Sequence, residues 1–448
     1  MKVDVNDLNF HAFDENIKLG YNEARYKING WKIGLTLLIL IGKGLASVYY
    51  FFLPRYDKND VACEVAMFAF SEANNERCLR PLLPSISNSK LFTNENLKLK
   101  RIWIYSMLYA PIVLFRCFTY TGKKQRFYCR FFLSFCKAYG TYIEAISILK
   151  NLQPKMIIVA NDHSYTSRSF FRAAQHLKII TAYVQHASVN KFFPPLEFDY
   201  AFLDGLESYE KYLDGKTCSS SVFLSGNPRF DILSTLTSHV FQQHERKIGI
   251  AVNPLDSLDI IKELIISIKA KIKGVEISLR PHPSSDMRYW AEICRHMDCK
   301  LSNSFLENPF LFINRHQVFI ARNSSFHLDV CMAGKKSFFF NFSGKPVMDA
   351  YNYLKNNLVE DITPAPVEAI NVALKTSSNK VLNKQAQYFV GNFNTIHWGM
   401  SAKLIGTTVI EILEGKRDLS FWTNSVGAKV FKIEDGTCRL LVEDETSI

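Results

Sequence analysis

Residues 156–199, MIIVANDHSYTSRSFFRAAQHLKIITAYVQHASVNKFFPPLEFD, decide the fold class. Residues 156–160 are an uninterrupted apolar run, the pattern of a strand buried on both faces of a parallel sheet. Asn161, Asp162, His163 and Ser164 follow at its carboxyl end, and Ser164 or Thr166 can cap the next helix. That helix carries Phe170, Phe171, Ala174 and Leu177 at helical spacing. A second strand over 179–184 delivers Gln185, His186, Ala187 and Ser188. The stretch is one β-α-β unit with a polar cluster at each strand end, the edge where open parallel sheets bind ligands. Similar clusters recur at 280–283 and 323–325, and three such edges predict an enzyme with a cleft between two sheets.

Upstream, 102–120 and 127–149 predict aromatic-rich helices in which Arg101, Arg116, Lys123, Lys124, Arg126, Arg130 and Lys137 interleave with Phe and Tyr. A helical layer with solvated basic residues is the simpler reading, and a patch on anionic lipid is the functional one. The Asn, Ser and Pro of 71–99 predict loop. Downstream, 234–246 is polar and reads as an interdomain linker, after which strands and helices alternate afresh from 247 to 341. The expected division is an amino-terminal domain over 1–235 with a helical, aromatic lead-in, a carboxyl-terminal domain over 245–400, and a late helix and tail over 401–448.

At 448 residues two cores are the prior, and 48% hydrophobic residues exclude a largely disordered chain. The formal charge of +12 suits a phosphorylated substrate or an anionic membrane face. Nucleic acid is not an expected partner, since no basic arm and no aromatic nucleic-acid motif occurs. The ten cysteines are scattered without a C-x-x-C, which reads as buried free thiols in a reducing cytosol. The first thirty residues lack a signal pattern. Residues 31–53 are long enough to span a membrane, but Lys43 near the middle would cost about 3 kcal/mol there. A core strand-helix element or an in-plane helix is therefore expected.

Asn323, Ser324 and Ser325 sit between a strand and a helix, where N–H groups and hydroxyls suit a phosphate; an ordinary serine cap explains them equally well. Arg280, His282 and Pro283 end another strand, with prolines fixing the backbone on both sides of His282 so that it and Arg280 can meet a phosphate. His186 is a candidate general base and Asp162 is its rival, while His163 beside it is either a further site residue or only a turn residue. Arg229 and Asp231, in the turn from Gly226 to Asp231, either secure a hinge or face a phosphate. No P-loop, G-x-G-x-x-G, G-x-S-x-G, H-E-x-x-H or D-x-D occurs.

The H-P motif at His282 and Pro283, the S-S motif at Ser324 and Ser325, and the upstream G-x-P-R-x-D turn resemble the bacterial GT-B transferases of surface polymers. That group includes CDP-glycerol glycerophosphotransferases and capsule sialyltransferases. The resemblance covers about residues 156–345 and implies an α/β fold of two Rossmann-like domains facing across a cleft. It implies that His282, Ser324 and Ser325 hold the donor phosphate. In the glycerophosphotransferases a histidine of an H-G-T-P segment is the base; here His186 stands in that place, followed by Ala187 and Ser188 rather than Gly and Thr. In the sialyltransferases the base is acidic, and Asp162 matches by position. The implied activity is transfer from a CMP- or CDP-linked donor to a glycan or lipid-linked acceptor, building capsule, lipopolysaccharide or a teichoic-acid-like polymer. No cofactor or metal is expected, and the expected location is cytoplasmic, with peripheral contact to an anionic inner membrane left open. A sugar-nucleotide epimerase of the same architecture and a non-catalytic capsule-assembly scaffold are the alternatives.

Overall fold

The computed structural model describes residues 30–52, 62–70, 73–97, 99–122, 125, 128–129, 131–190, 193–214, 218–236, 245–283, 285–376, 383–416, 430–434 and 437–440. The lead-in over 1–28, most of the polar 234–246 segment, Lys123, Lys124, Arg126, Arg130 and most of the tail lie outside them. The elements run α1 (Gly30–Val48), β1 (Val65–Ala69), α2 (Ala73–Leu79), β2 (Ser89–Thr93), α3 (Ile102–Thr119), α4 (Phe132–Leu152), β3 (Met156–Val159), α5 (Tyr165–His176) and β4 (Ile180–Val184). Then come β5 (Tyr200–Leu203), α6 (Leu206–Leu213), β6 (Ser221–Leu224), β7 (Lys247–Val252), α7 (Leu258–Lys271), β8 (Glu276–Pro281), α8 (Met287–His296) and β9 (Lys300–Leu301). The rest are α9 (Pro309–Asn314), β10 (Val318–Ala321), α10 (Phe326–Met332), β11 (Lys336–Phe339), β12 (Glu360–Asp361), α11 (Pro366–Lys375), α12 (Asn383–Phe389), α13 (Ser401–Leu413), β13 (Val430–Glu434) and β14 (Thr437–Leu440).

Two compact units result. The second consists of residues 205–207 and 230–399, and the first of the remainder, so the chain crosses between them at Arg229 and Phe230 and returns at Gly399 and Met400. The first unit holds a sheet of order β2-β1-β3-β4-β5-β6-β13-β14, parallel from β2 to β6 and closed by an antiparallel hairpin. The second holds a parallel sheet of order β9-β8-β7-β10-β11-β12. In each sheet the chain starts inside, moves to one edge, and returns to build the other side. The strand order therefore reverses at β1/β3 in the first unit and at β7/β10 in the second, and ligands of open α/β sheets bind outside the carboxyl ends of such strands.

The apolar runs form strands because both faces are covered. In β1, Val65, Met67 and Ala69 share a core with Ala402, Ile405 and Val409 of α13. Phe68, on the other face, stacks 5.2 Å from Phe92 and lies 4.4 Å from Phe170 of α5. The second sheet is likewise coated on two sides, one core containing Ile250, Ile265 and Ile320 and the other Phe312, Phe319 and Phe339. Where composition predicts loop over 71–99, the structure has α2 and the edge strand β2, because Leu91 and Phe92 are buried against β1. Residues 31–48 are helix throughout, with no strand among them. Cys63, Cys78, Cys117, Cys136, Cys294 and Cys331 are free and buried.

A helical layer of α1, α3 and α4 packs onto α5. Gly140 of α4 permits the close approach to α3, since a Cβ there would run into the Ile102 carbonyl oxygen and Ser106 Oγ. Gly140→Ala is expected to lower the unfolding free energy by about 1–3 kcal/mol, read as a fall in the urea midpoint. An unchanged midpoint would mean that α3 moves aside without loss.

Candidate active site

In the first unit the chemistry gathers at the β1/β3 reversal. Beyond β3, Asn161 Oδ1 accepts from the His163 and Ser164 N–H groups at 3.0 and 2.7 Å. This side-chain turn ends the strand. Ser164 then caps α5, its Oγ accepting from Ser167 N–H at 3.2 Å. The two locks leave Asp162 and His163 little backbone freedom. Asp162 is 1% exposed, with Oδ1 at 3.0 Å from His163 Nδ1 while Oδ2 accepts from the Tyr212 hydroxyl at 2.6 Å. Burial pushes the Asp162 carboxyl up, but the bonds and charges of His163, Tyr212 and His186 outweigh it and hold the group below the usual range. Asp162 is therefore an anion at neutral pH, and a buried anion bonded to Nδ1 places the other imidazole nitrogen for proton transfer. The His163 side chain is 22% exposed, open enough for a substrate to reach it.

His186, expected to face a cleft, is 3% exposed, and its ring centroid lies 5.8 Å from that of His163. Burial, reinforced by His163 and by the Arg229 charge, pushes it down to about 3 against the pull of Asp162 and the Ala160 backbone. It is neutral near pH 7. Arg229 Nη1 donates to the His186 carbonyl at 3.3 Å, so Arg229 secures this loop. Asn227 donates to the Gln185 carbonyl at 2.6 Å and to Asp204 Oδ1 at 2.9 Å, tying together the ends of β4, β5 and β6. The G-x-P-R-x-D turn is thus a fastening at the exit from the first unit. Asp231 lies beyond the crossing, in the second unit.

Sequence reasoning missed three groups around Asp162. Tyr212, on α6, and Tyr183, on β4, are fully buried and share a 3.2 Å hydroxyl contact. Arg168, 1% exposed, donates to the Asp162 carbonyl at 3.5 Å and to Glu197 at 2.9 Å. The one local signal was for Arg168, a long basic side chain set between Ser167 and Ser169 just ahead of Phe170.

In the second unit the β7/β10 reversal carries Asn253, Arg322, Asn323, Ser324 and Ser325. Arg322 Nη2 donates to Asn253 Oδ1 at 3.1 Å, and its Nε lies 2.7 Å from the Asp256 carboxylate. Burial raises Asp256 to about 6 against the Asn253 N–H and Arg322. His327, fully buried, meets the Arg322 carbonyl at 2.7 Å and Ser337 Oγ at 2.7 Å. Asn323 donates to the Met348 carbonyl at 2.9 Å, and Ser324 Oγ accepts from Phe326 N–H at 3.3 Å. Ser325 makes no side-chain cap. Helix α10 has 7 residues, too short to add much of a dipole, so donors for an anion come chiefly from the turn itself. His282 and Pro283 are exposed at the end of β8, next to β7. Arg280 points elsewhere: it donates to Ser302 Oγ at 2.6 Å and the Glu307 carbonyl at 2.9 Å, and its guanidinium lies 5.3 Å from the Phe312 ring. It braces the sheet edge rather than presenting its charge. Among the described residues no three His, Cys, Asp or Glu side chains gather as a metal site.

No protein-family description matches this chain in sequence. No curated protein is similar to it in sequence. Solved structures are similar in fold. A protein described as UDP-N-acetylglucosamine 2-epimerase from Listeria monocytogenes superposes with a TM-score of 0.53 at 12% identity, over 80% of this chain and 98% of its own. The UDP-GlcNAc 2-epimerase from Neisseria meningitidis, bound to UDP-GlcNAc, gives 0.51 at 13%, over 79% and 100%. The glycosyltransferase of kitacinnamycin gives 0.50 at 8%, over 79% and 99%. The chain has the GT-B type of α/β fold, two Rossmann-like units, as the motifs predict.

Proposed function

We propose that this chain is a nucleotide-sugar-dependent transferase, with one half of the reaction assigned to each unit. The observation that carries the reading is the Asp162–His163 pair at the strand reversal of the first sheet, matched by the Asn323–Ser325 turn at the reversal of the second. An acceptor hydroxyl attacks the donor, its proton passes to His163, and the bond to the nucleotide phosphate breaks with its electron pair leaving on phosphate oxygen. Asp162 holds His163 in the useful tautomer and stabilises the imidazolium; the buried His186 is a positioning residue. His282, Ser324, Ser325 and Asn323 receive the departing phosphate charge, and Arg280, Arg322 and Asn253 keep that edge in shape. By resemblance of the H-P and S-S motifs the donor is CMP- or CDP-linked and the product a bacterial surface polymer.

The test is a thermal-shift series with CMP, CDP, UMP, UDP, GDP and ADP. Cytidine nucleotides are expected to stabilise the chain, by about 2.7 kcal/mol at a hundred times Kd. His282→Ala and Ser324→Ala should remove that response without unfolding the protein. Stabilisation by UDP alone would move the donor to a UDP-sugar. Indifference to every nucleotide would sink the reading and favour a scaffold. The fold shared with two 2-epimerases supports an epimerase as the second reading; turnover of a nucleotide sugar with no acceptor present would select it.

A further inference from the structure

Helices α1 and α3 carry an apolar face that has no cover among the described residues. On α3, Ser106, Tyr109, Ala110, Val113 and Cys117 are buried at helical spacing. The opposite stripe is Leu108, Ile112, Phe115 and Phe118, exposed by 64, 48, 66 and 77%. On α1, Leu38 and Leu45 are exposed by 67 and 61%, and Phe52 just beyond it by 82%. The two helices lie side by side, with Gly44 against Met107 and Leu40 in one core with Val113. Isolated exposed leucines are ordinary, but two adjoining helices that each expose such a stripe carry apolar surface of the kind that marks an interaction site.

What rims the face identifies its partner. The Lys43 ammonium lies 4.3 Å from the Trp103 ring centroid, and Lys137 lies 5.3 Å from it. Lys100 lies 4.7 Å from the Tyr50 ring, and Arg101 Nε donates to the Tyr50 carbonyl at 2.9 Å. Cations over Trp and Tyr beside an apolar stripe are the composition of a bilayer interface, where aromatic rings sit at headgroup level and lysines snorkel. Neither α1 nor α3 contains an Asp or Glu. A second copy of this chain seated on the face would set cations against cations, whereas an anionic leaflet complements them.

We propose that this face docks the chain on an anionic membrane leaflet, with α1 and α3 lying in the interface plane. Helix α3 has 18 residues and the apolar composition to cross a bilayer. Its buried stripe, however, is held along its length by α4, which packs on α5 of the sheet-bearing unit. Crossing would strip α3 from α4 and put Ser106 and Tyr109 into lipid, while lying flat keeps that packing and buries only the outer stripe.

Flotation of the full-length chain with vesicles tests this. The wild type is expected to float with phosphatidylcholine vesicles containing phosphatidylglycerol, and about tenfold less when salt screens the headgroups. Replacing Leu108, Ile112, Phe115 and Phe118 together by glutamine should lower partitioning about a hundredfold, with circular dichroism confirming the fold. Lys43→Glu with Lys100→Glu is an independent variant that leaves the apolar packing alone and should weaken binding to anionic vesicles by at least tenfold. The proposal is overturned if the wild type stays in the aqueous fraction, if either variant binds like it, or if neutral vesicles bind it as well. A wild-type dimer that the glutamine variant dissociates, with no vesicle binding by either, would instead assign the face to a second copy.

Discussion

Asp162→Asn is expected to lower turnover by about a thousandfold or more while leaving nucleotide-induced stabilisation intact. The carboxylate is buried, both oxygens are engaged, and the charge is held ionised by His163 and Tyr212. The amide has the same shape but no charge to stabilise a protonated His163, and its NH2 can meet Nδ1 and impose the wrong tautomer. His163→Ala should fall equally far. The double variant should be little worse than either, because the two side chains act as one unit. Tyr212→Phe removes the brace on Oδ2 and the contact with the Tyr183 hydroxyl, and is expected to lose about 1–3 kcal/mol of stability with a smaller loss of rate. His186→Gln separates the competing assignments. A thousandfold loss there, with little effect at His163, would transfer the base to the buried ring and end the proposed role of the dyad. Because the residues proposed to face phosphate belong to the other unit, an Asp162→Asn protein that no longer responds to nucleotide would point to misfolding rather than lost proton transfer.

The fold was legible because burial wrote it into composition. Strands such as 156–159 and 318–321 are apolar throughout since both faces are covered, and each is followed by a polar turn. Edge strand β2 was not legible: with Ser89, Lys90 and Thr93 around Leu91 and Phe92 it reads as loop, and only pairing with β1 makes it a strand. The site was half legible. Position after a strand singled out Asp162, His163, His186 and the Asn323–Ser325 turn. Roles among them depend on burial and on partners distant in the chain. Position in the sequence tells neither that His186 is 3% exposed nor that Asp162 lies on the Nδ1 of His163, the two facts on which the proposed roles rest. Tyr212, fifty residues from Asp162, has no local signal at all. Arg280 misleads in the other direction, since a strand-end arginine promises a phosphate contact and here is spent on Ser302, Glu307 and Phe312.

Acid should destabilise this protein before most of its carboxylates titrate. Of the buried histidines among the described residues, burial holds three furthest into the neutral form. Burial pushes His186 down to about 3, and His316 and His327 each down to about 4. His316 meets the Phe312 carbonyl at 2.7 Å and Ser278 Oγ at 2.8 Å, with the Arg315 and Lys247 charges pressing the same way as burial and Glu276 opposing. His327 bridges Arg322 and Ser337 with only the Asp349 charge and backbone bonds opposing burial. In the unfolded chain each would take up a proton near pH 6.5. Below that pH the unfolded state binds protons that the folded state refuses, so stability falls as pH drops and goes on falling until the folded values are reached. By about pH 4.5 each histidine has withdrawn about 2–3 kcal/mol. Asp256, raised to about 6, works the other way, taking up a proton in the folded state first and returning part of that loss in the second unit. The net expectation is a loss of about 5 kcal/mol or more between about pH 7 and 4.5, comparable with the whole stability of an ordinary domain. Urea unfolding across that range measures it. His316→Gln should lower stability near neutrality, where a buried bond to Ser278 or Phe312 is lost, yet flatten the pH dependence, since nothing remains there to protonate. A profile already flat in the wild type would show that these rings protonate in place, with Ser278 and Ser337 turning their hydroxyls to accept.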